Sequence, residues 1–160
     1  MSKGMNNIKM TDADVLFSLA EESMKNGNDV KVKIAGFSMY PLVTSRRDSV
    51  LLTKCEKIKK GDVPLIKRED GSFVLHRVVG IKDGYLKLCG DYEQKAEYPV
   101  NPERIIAVAK GFYRKEKYIS CDSKKYKLYT FLWMNTIAIR PVILKILGSG
   151  AKIKDKMKNN

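Results

Sequence analysis

Three kinds of side chain in this sequence could together cleave a bond to a carbonyl carbon. Ser38 stands in "GFSMYP", a break bracketed by Gly36 and Pro41 between two strand-like runs. A turn needs only Gly, Pro and small polar residues, so the added Met39 and Tyr40 point to a serine held up for use. A serine hydroxyl is a poor nucleophile until an oriented base takes its proton. His76, the one histidine of the chain, lies in "FVLHRVV", where strand alternation places it on a face with Val74 and Val78. Apolar surroundings disfavour its charged form and keep it a base near neutral pH. A carboxylate that fixes the imidazole tautomer completes such an arrangement. "LCGDYEQKAEYPV" supplies Asp91, Glu93 and Glu97 on a stretch bracketed by Gly90 and Pro99, as expected of a functional loop on a rigid sheet. Singly, each feature has a plainer reading: a lone strand histidine is more often structural, and acidic loops are mostly solvated.

The elements that must position these residues read as mostly β. "VKVKIAG" alternates strictly, as a half-buried strand does, and "SVLLTK" is a second short apolar run. "KKGD" makes a turn into "VPLIKR", whose Pro64 demotes that strand to an edge or bulge position. "REDGS" and "IKDGYL" carry Asp-Gly hairpin signals on either side of "FVLHRVVGI", which predicts a meander sharing one central strand. "RIIAVAKGFYR" is the last strand, with Gly111 marking a bulge. Ahead of these, Thr11 and Asp14 resemble a capping box and Gly27 a stop, so a helix is expected over about 12–26. The predicted division is an N-terminal helix over 1–28, a β domain over 29–116 and a basic, partly apolar helical tail over 117–160, an α+β chain of antiparallel strands.

Charge separates the tail from the rest. Residues 1–109 hold 18 Lys/Arg against 15 Asp/Glu, whereas residues 110–160 hold 13 against 3, a surplus of ten. Such a tail is either solvated or meets an acidic partner, a phospholipid surface or nucleic acid. Residues 126–147 are apolar and aromatic but interrupted by Asn135, Arg140, Pro141 and Lys145. That is marginal for a span of about 20 apolar residues, which leaves an interfacial helix broken before Pro141 or a helix packed back on the β domain. Peripheral membrane contact through 126–160 is therefore expected, with no specific nucleic-acid partner. Three cysteines without a CxxC pair argue against disulfides and a zinc site. No signal peptide opens the chain. A cytoplasmic, membrane-associated protein without cofactor or metal is the expectation.

In order, "GFSMYP", "RRDSVLL", "IKKGDVPLIKR", "FVLHRVVGI", "YLKLCGDYEQKAEYPV" and "RIIAVAKGF" resemble the motif series of signal peptidase I and its serine-peptidase relatives, over roughly residues 30–113. The resemblance implies a β-rich peptidase fold. "HRVV" stands at the base position, similar to the archaeal and endoplasmic-reticulum branch that uses Ser-His-Asp rather than Ser-Lys. By that resemblance Ser38 is the nucleophile and His76 the general base, with Asp91 or Glu97 as the acid and Glu97 preferred. Met39 and Tyr40 then shape the floor or walls of a substrate site. The implied activity is an endopeptidase removing a signal or leader segment from a precursor peptide. Two alternatives compete. One is a self-cleaving regulator, which needs a Lys base and a DNA-binding domain that about 29 preceding residues cannot supply. The other is a catalytically silent binding module docking through its basic tail.

Overall fold

Valines alternating with lysines form the first strand, β1 (Val30–Lys33), its valines half-buried and its lysines exposed. A computed structural model describes residues 22–24, 26–45 and 47–147. Of the helix expected over 12–26, only 22–24, which are helical, and Asn26, in a turn, lie within these residues; the rest lies outside them. After β1 come β2 (Ser49–Thr53), β3 (Pro64–Lys67), β4 (Phe73–Leu75), β5 (Arg77–Lys82), β6 (Tyr85–Cys89), β7 (Glu97–Val100), β8 (Ile105–Arg114) and β9 (Lys117–Ser120).

The strands make two antiparallel sheets. The first runs β1-β2-β8-β3-β4, with β9 also paired to β8; the second runs β5-β6-β7. Two apolar clusters hold them, one within the first sheet's side of the fold and one shared by both sheets through Ile66 of β3. Val50, Leu52, Leu65, Ala107 and Phe112 anchor one, and Ile66, Val78, Leu86, Leu88 and Val100 the other. The chain is mostly β with a helical C-terminal segment.

Four local expectations change. The predicted central strand of the meander is divided at His76, with β4 in the first sheet and β5 in the second. The reason lies in backbone pairing: Val78 N–H donates to Asp62 O and Val78 O accepts from Gly61 N–H, both at 2.8 Å. Of the edge or bulge position expected at Pro64, the edge is excluded, since β3 lies between β8 and β4, whereas the bulge is present just beyond it, where the β3–β8 register shifts between Leu65 and Ile66. The acidic stretch ends in β7, an edge strand of the second sheet where Pro99 is tolerated. Residues 117–120 belong to the sheet rather than to a helical tail. They form a hairpin with β8 through Lys115 and Glu116, at φ 48° and 65°, the two positive values a tight hairpin turn requires. The bulge predicted near Gly111 is present: the β2–β8 register skips Lys110.

The tail helices are α1 (Lys124–Asn135), capped by the Ser123 side chain, and α2 (140–147), joined by a short 3-10 turn at Ile137–Ile139. The break falls before Pro141, as expected. The inward side chains pack on the β domain: Tyr126, Trp133 and Arg140 are all buried.

Arg77 and Asp91 join these parts. Both are fully buried, and the guanidinium grips the carboxylate through Nε at 2.8 Å and Nη2 at 2.7 Å. Arg77 Nη1 donates onward to Gly61 O, Tyr126 Oη and Thr130 Oγ1 at 3.0–3.1 Å. Burial works against the arginine's charge, but Asp91 more than offsets it and its pKa is raised. Removing one partner of a buried pair strands the other charge, at a cost of about 3–5 kcal/mol. Arg77→Met should therefore lower unfolding stability by about that amount in urea titration. Arg77→Met combined with Asp91→Leu should cost clearly less than the two single changes summed; simple additivity would refute the coupling.

Candidate active site

Gly36, at φ 78°, turns the chain out of β1 into a pair of tight turns. Tyr40 N–H donates to Phe37 O at 2.9 Å and Val43 N–H to Met39 O at 3.1 Å. Met39 is only 2% exposed and sits in the first core. It is thus an anchor beneath Ser38 and not a wall open to substrate. Ser38 itself is half-buried, and the Tyr40 ring meets the Tyr92 ring edge to face at 6.1 Å.

The Ser38 turn rests on the loop that follows β6. Tyr92 N–H donates to Ser38 O at 2.8 Å. A Cβ on Gly90 would lie 2.6 Å from the same oxygen, so only glycine allows this approach. Glu93 closes the loop: one carboxylate oxygen accepts from Gly90 N–H at 3.2 Å, and the other lies 3.4 Å from His76 Nε2. The structure thus joins the Ser38 main chain to the loop of Gly90, Tyr92 and Glu93, and Glu93 to His76, while no hydrogen bond links the Ser38 hydroxyl to the imidazole.

The carboxylate in contact with His76 is therefore Glu93, and the preference for Glu97 is corrected. Glu97 is held by Arg68 Nη2 at 2.6 Å. Asp91 is committed to Arg77, with Tyr129 Oη donating to it at 3.0 Å. It supports the loop and does not touch the imidazole. Glu93 was visible in the sequence as one of three acids, but nothing local distinguished it. Arg140 was missed as a site residue because it reads as an interruption in an apolar run. Its Nη1 donates to Gly90 O at 3.0 Å and Glu93 O at 2.9 Å, and its Nη2 to Trp133 O at 3.2 Å. Trp133 Nε1 adds a bond to Asp91 O at 3.0 Å. The loop bearing Glu93 is thus clamped by the tail helices.

The electrostatics suit a base. His76 is 3% exposed, and burial pushes its pKa below the ordinary value. Glu93, and more weakly Glu97 and Asp91, favour the charged form and Arg68 opposes it, but burial is the largest effect. A neutral ring that keeps its proton on Nε2, the nitrogen nearer Glu93, carries its lone pair on Nδ1. That atom is buried without a hydrogen-bond partner among the described residues. The three cysteines are free, and burial raises the thiol pKa of each, Cys121 to about 11. No group of His, Cys, Asp and Glu among the described residues could hold a metal ion.

A lowered pKa fixes the sign of the pH dependence. As pH falls, the unfolded chain takes up the His76 proton first, near pH 6.5. The stability from a neutral buried imidazole is complete above that value and is lost as pH falls through it toward the folded pKa. Because His76 is the only histidine, its Cε1 proton resonance gives an unambiguous titration. The midpoint should lie below about 6.5, and Glu93→Gln, which removes the main charge favouring imidazolium, should move it lower still. A midpoint that rises in Glu93→Gln would refute the assigned pair. Comparison with protein-family models and with curated proteins returns no match.

Proposed function

We propose that the protein is a serine endopeptidase of the signal-peptidase type, which cleaves a signal or leader segment from a precursor peptide. The observation that carries this reading is the docking of the Ser38 turn on the loop whose Glu93 reaches His76. In the proposed reaction His76 takes the Ser38 Oγ proton as Oγ attacks the peptide carbonyl, then returns it to the leaving amine. Glu93 holds the imidazole tautomer and stabilises the imidazolium. Backbone N–H groups of the Ser38 turn, its own included, face the developing oxyanion. Water then hydrolyses the acyl-enzyme by the same proton route. The substrate adds as an extended strand beside β4, an edge strand that ends one residue before His76.

A fluorophosphonate probe tests the nucleophile. Labelling should be lost in Ser38→Ala and strongly slowed in His76→Ala, with a loss of about 10²–10⁴-fold for removal of the base. Undiminished labelling of Ser38→Ala would reject the assignment, and absence of labelling in the unaltered chain would favour a binding module. Glu93→Gln should lower the rate more than Glu97→Gln; the reverse order would return the orienting role to Glu97. Gly90→Ala should also impair the reaction, because its methyl group forces Ser38 O and the loop apart.

A further inference from the structure

We propose that the outward faces of α1 and α2, with a basic groove at the start of α1, dock on an anionic phospholipid surface. While Tyr126, Trp133 and Arg140 turn inward, Leu128, Phe131 and Leu132 on α1 remain 53–65% exposed. Ile139, Val142 and Ile146, beyond the bend, remain 55–67% exposed. Spacings of three and four residues keep Leu128, Phe131 and Leu132 on one side of α1 and Val142 and Ile146 on one side of α2, with Ile139 in the turn just before it. Six large apolar side chains left in water on one short helical pair mark a surface that something covers.

Charge identifies the occupant. An open groove of about 670 Å³ is lined by Arg47, Arg114, Lys115, Lys117 and Lys125, together with Ser123, the cap of α1. Asp48 engages Arg47, and Lys31 engages Glu116, the acid of the neighbouring turn. Arg114, Lys115, Lys117 and Lys125 are exposed. In the sequence beyond α2, Lys152, Lys154, Lys156 and Lys158 stand against Asp155 alone. Acyl chains suit the apolar faces and lipid phosphates suit the cations. Nucleic acid would use the cations and leave the apolar faces wet. A second copy of the chain would bring like charge against like.

The geometry favours lying on the surface over crossing it. No single helix among the described residues is long and apolar enough to cross a membrane; α1 and the following helical segment meet that test only together, across a 72° bend. Straightening the pair would also pull Arg140 from the carbonyls of Gly90, Glu93 and Trp133.

Co-sedimentation of the full chain with vesicles of mixed phosphatidylglycerol and phosphatidylcholine, and of phosphatidylcholine alone, tests this. Binding to the anionic vesicles should be at least about tenfold tighter, at roughly 1 kcal/mol per cation engaged, and should weaken as salt is raised. Arg114→Glu with Lys117→Glu should abolish the anionic preference. Phe131→Ser with Val142→Ser should weaken binding while circular dichroism and Tm show an intact fold, since both positions are exposed. Absence of binding to either vesicle, or equal binding to both, would overturn the proposal. So would a concentration-dependent dimer that Phe131→Ser with Val142→Ser dissociates, or capture by single-stranded nucleic acid in place of vesicles.

Discussion

The buried pair of Arg77 and Asp91 is the constraint on which the rest of the architecture depends. Neither charge could remain in the interior alone, so the two sequence segments that carry them must meet. Arg77 begins β5, just after the chain leaves the first sheet, and Asp91 follows β6, at the loop under Ser38. Tyr126, Tyr129, Thr130 and Trp133 of α1 supply further bonds to these two residues. Burial and the adjacent Asp91 charge raise the pKa of the Tyr129 phenol, which therefore stays a donor. One ionic contact thereby fixes strand, loop and helix relative to one another.

This arrangement separates two jobs that the sequence presents as one acidic cluster. Asp91 neutralises Arg77, Glu97 neutralises Arg68, and Glu93 is left to face the imidazole. Its carboxylate is 40% exposed, whereas that of Asp91 is buried and spoken for. A half-exposed carboxylate facing an imidazole cannot at the same time neutralise a charge in the interior, and three acids within seven residues allow both places to be filled.

Much of the fold was legible where local chemistry is unambiguous. Alternation in "VKVK" and the Asp-Gly turn at Asp83 and Gly84 lead directly to β1 and the β5–β6 hairpin. The β8–β9 hairpin was not legible, because its turn is made by Lys115 and Glu116 instead of Asn or Gly. Nor was β7, whose Glu97 and Pro99 read as loop residues. The division at His76 escaped notice because it depends on pairing of Val78 with the distant turn at Gly61 and Asp62. Site residues divided in the same way. Ser38 and His76 stand out by type and setting, whereas Glu93 and Arg140 acquire their places through contacts 17 and 47 positions away in the chain.

The clamp made by Arg140 bears on when the site can exist. Ser38, His76 and Glu93 are all synthesised before α1 begins, yet the main chain under Glu93 is fastened by a residue that emerges about fifty positions later. A nascent chain therefore carries every proposed reacting group while lacking the brace that sets their spacing. Completion of the C-terminal helices becomes the step that fastens the loop under Glu93, so the order of synthesis leaves this loop unbraced until the end of the chain has folded.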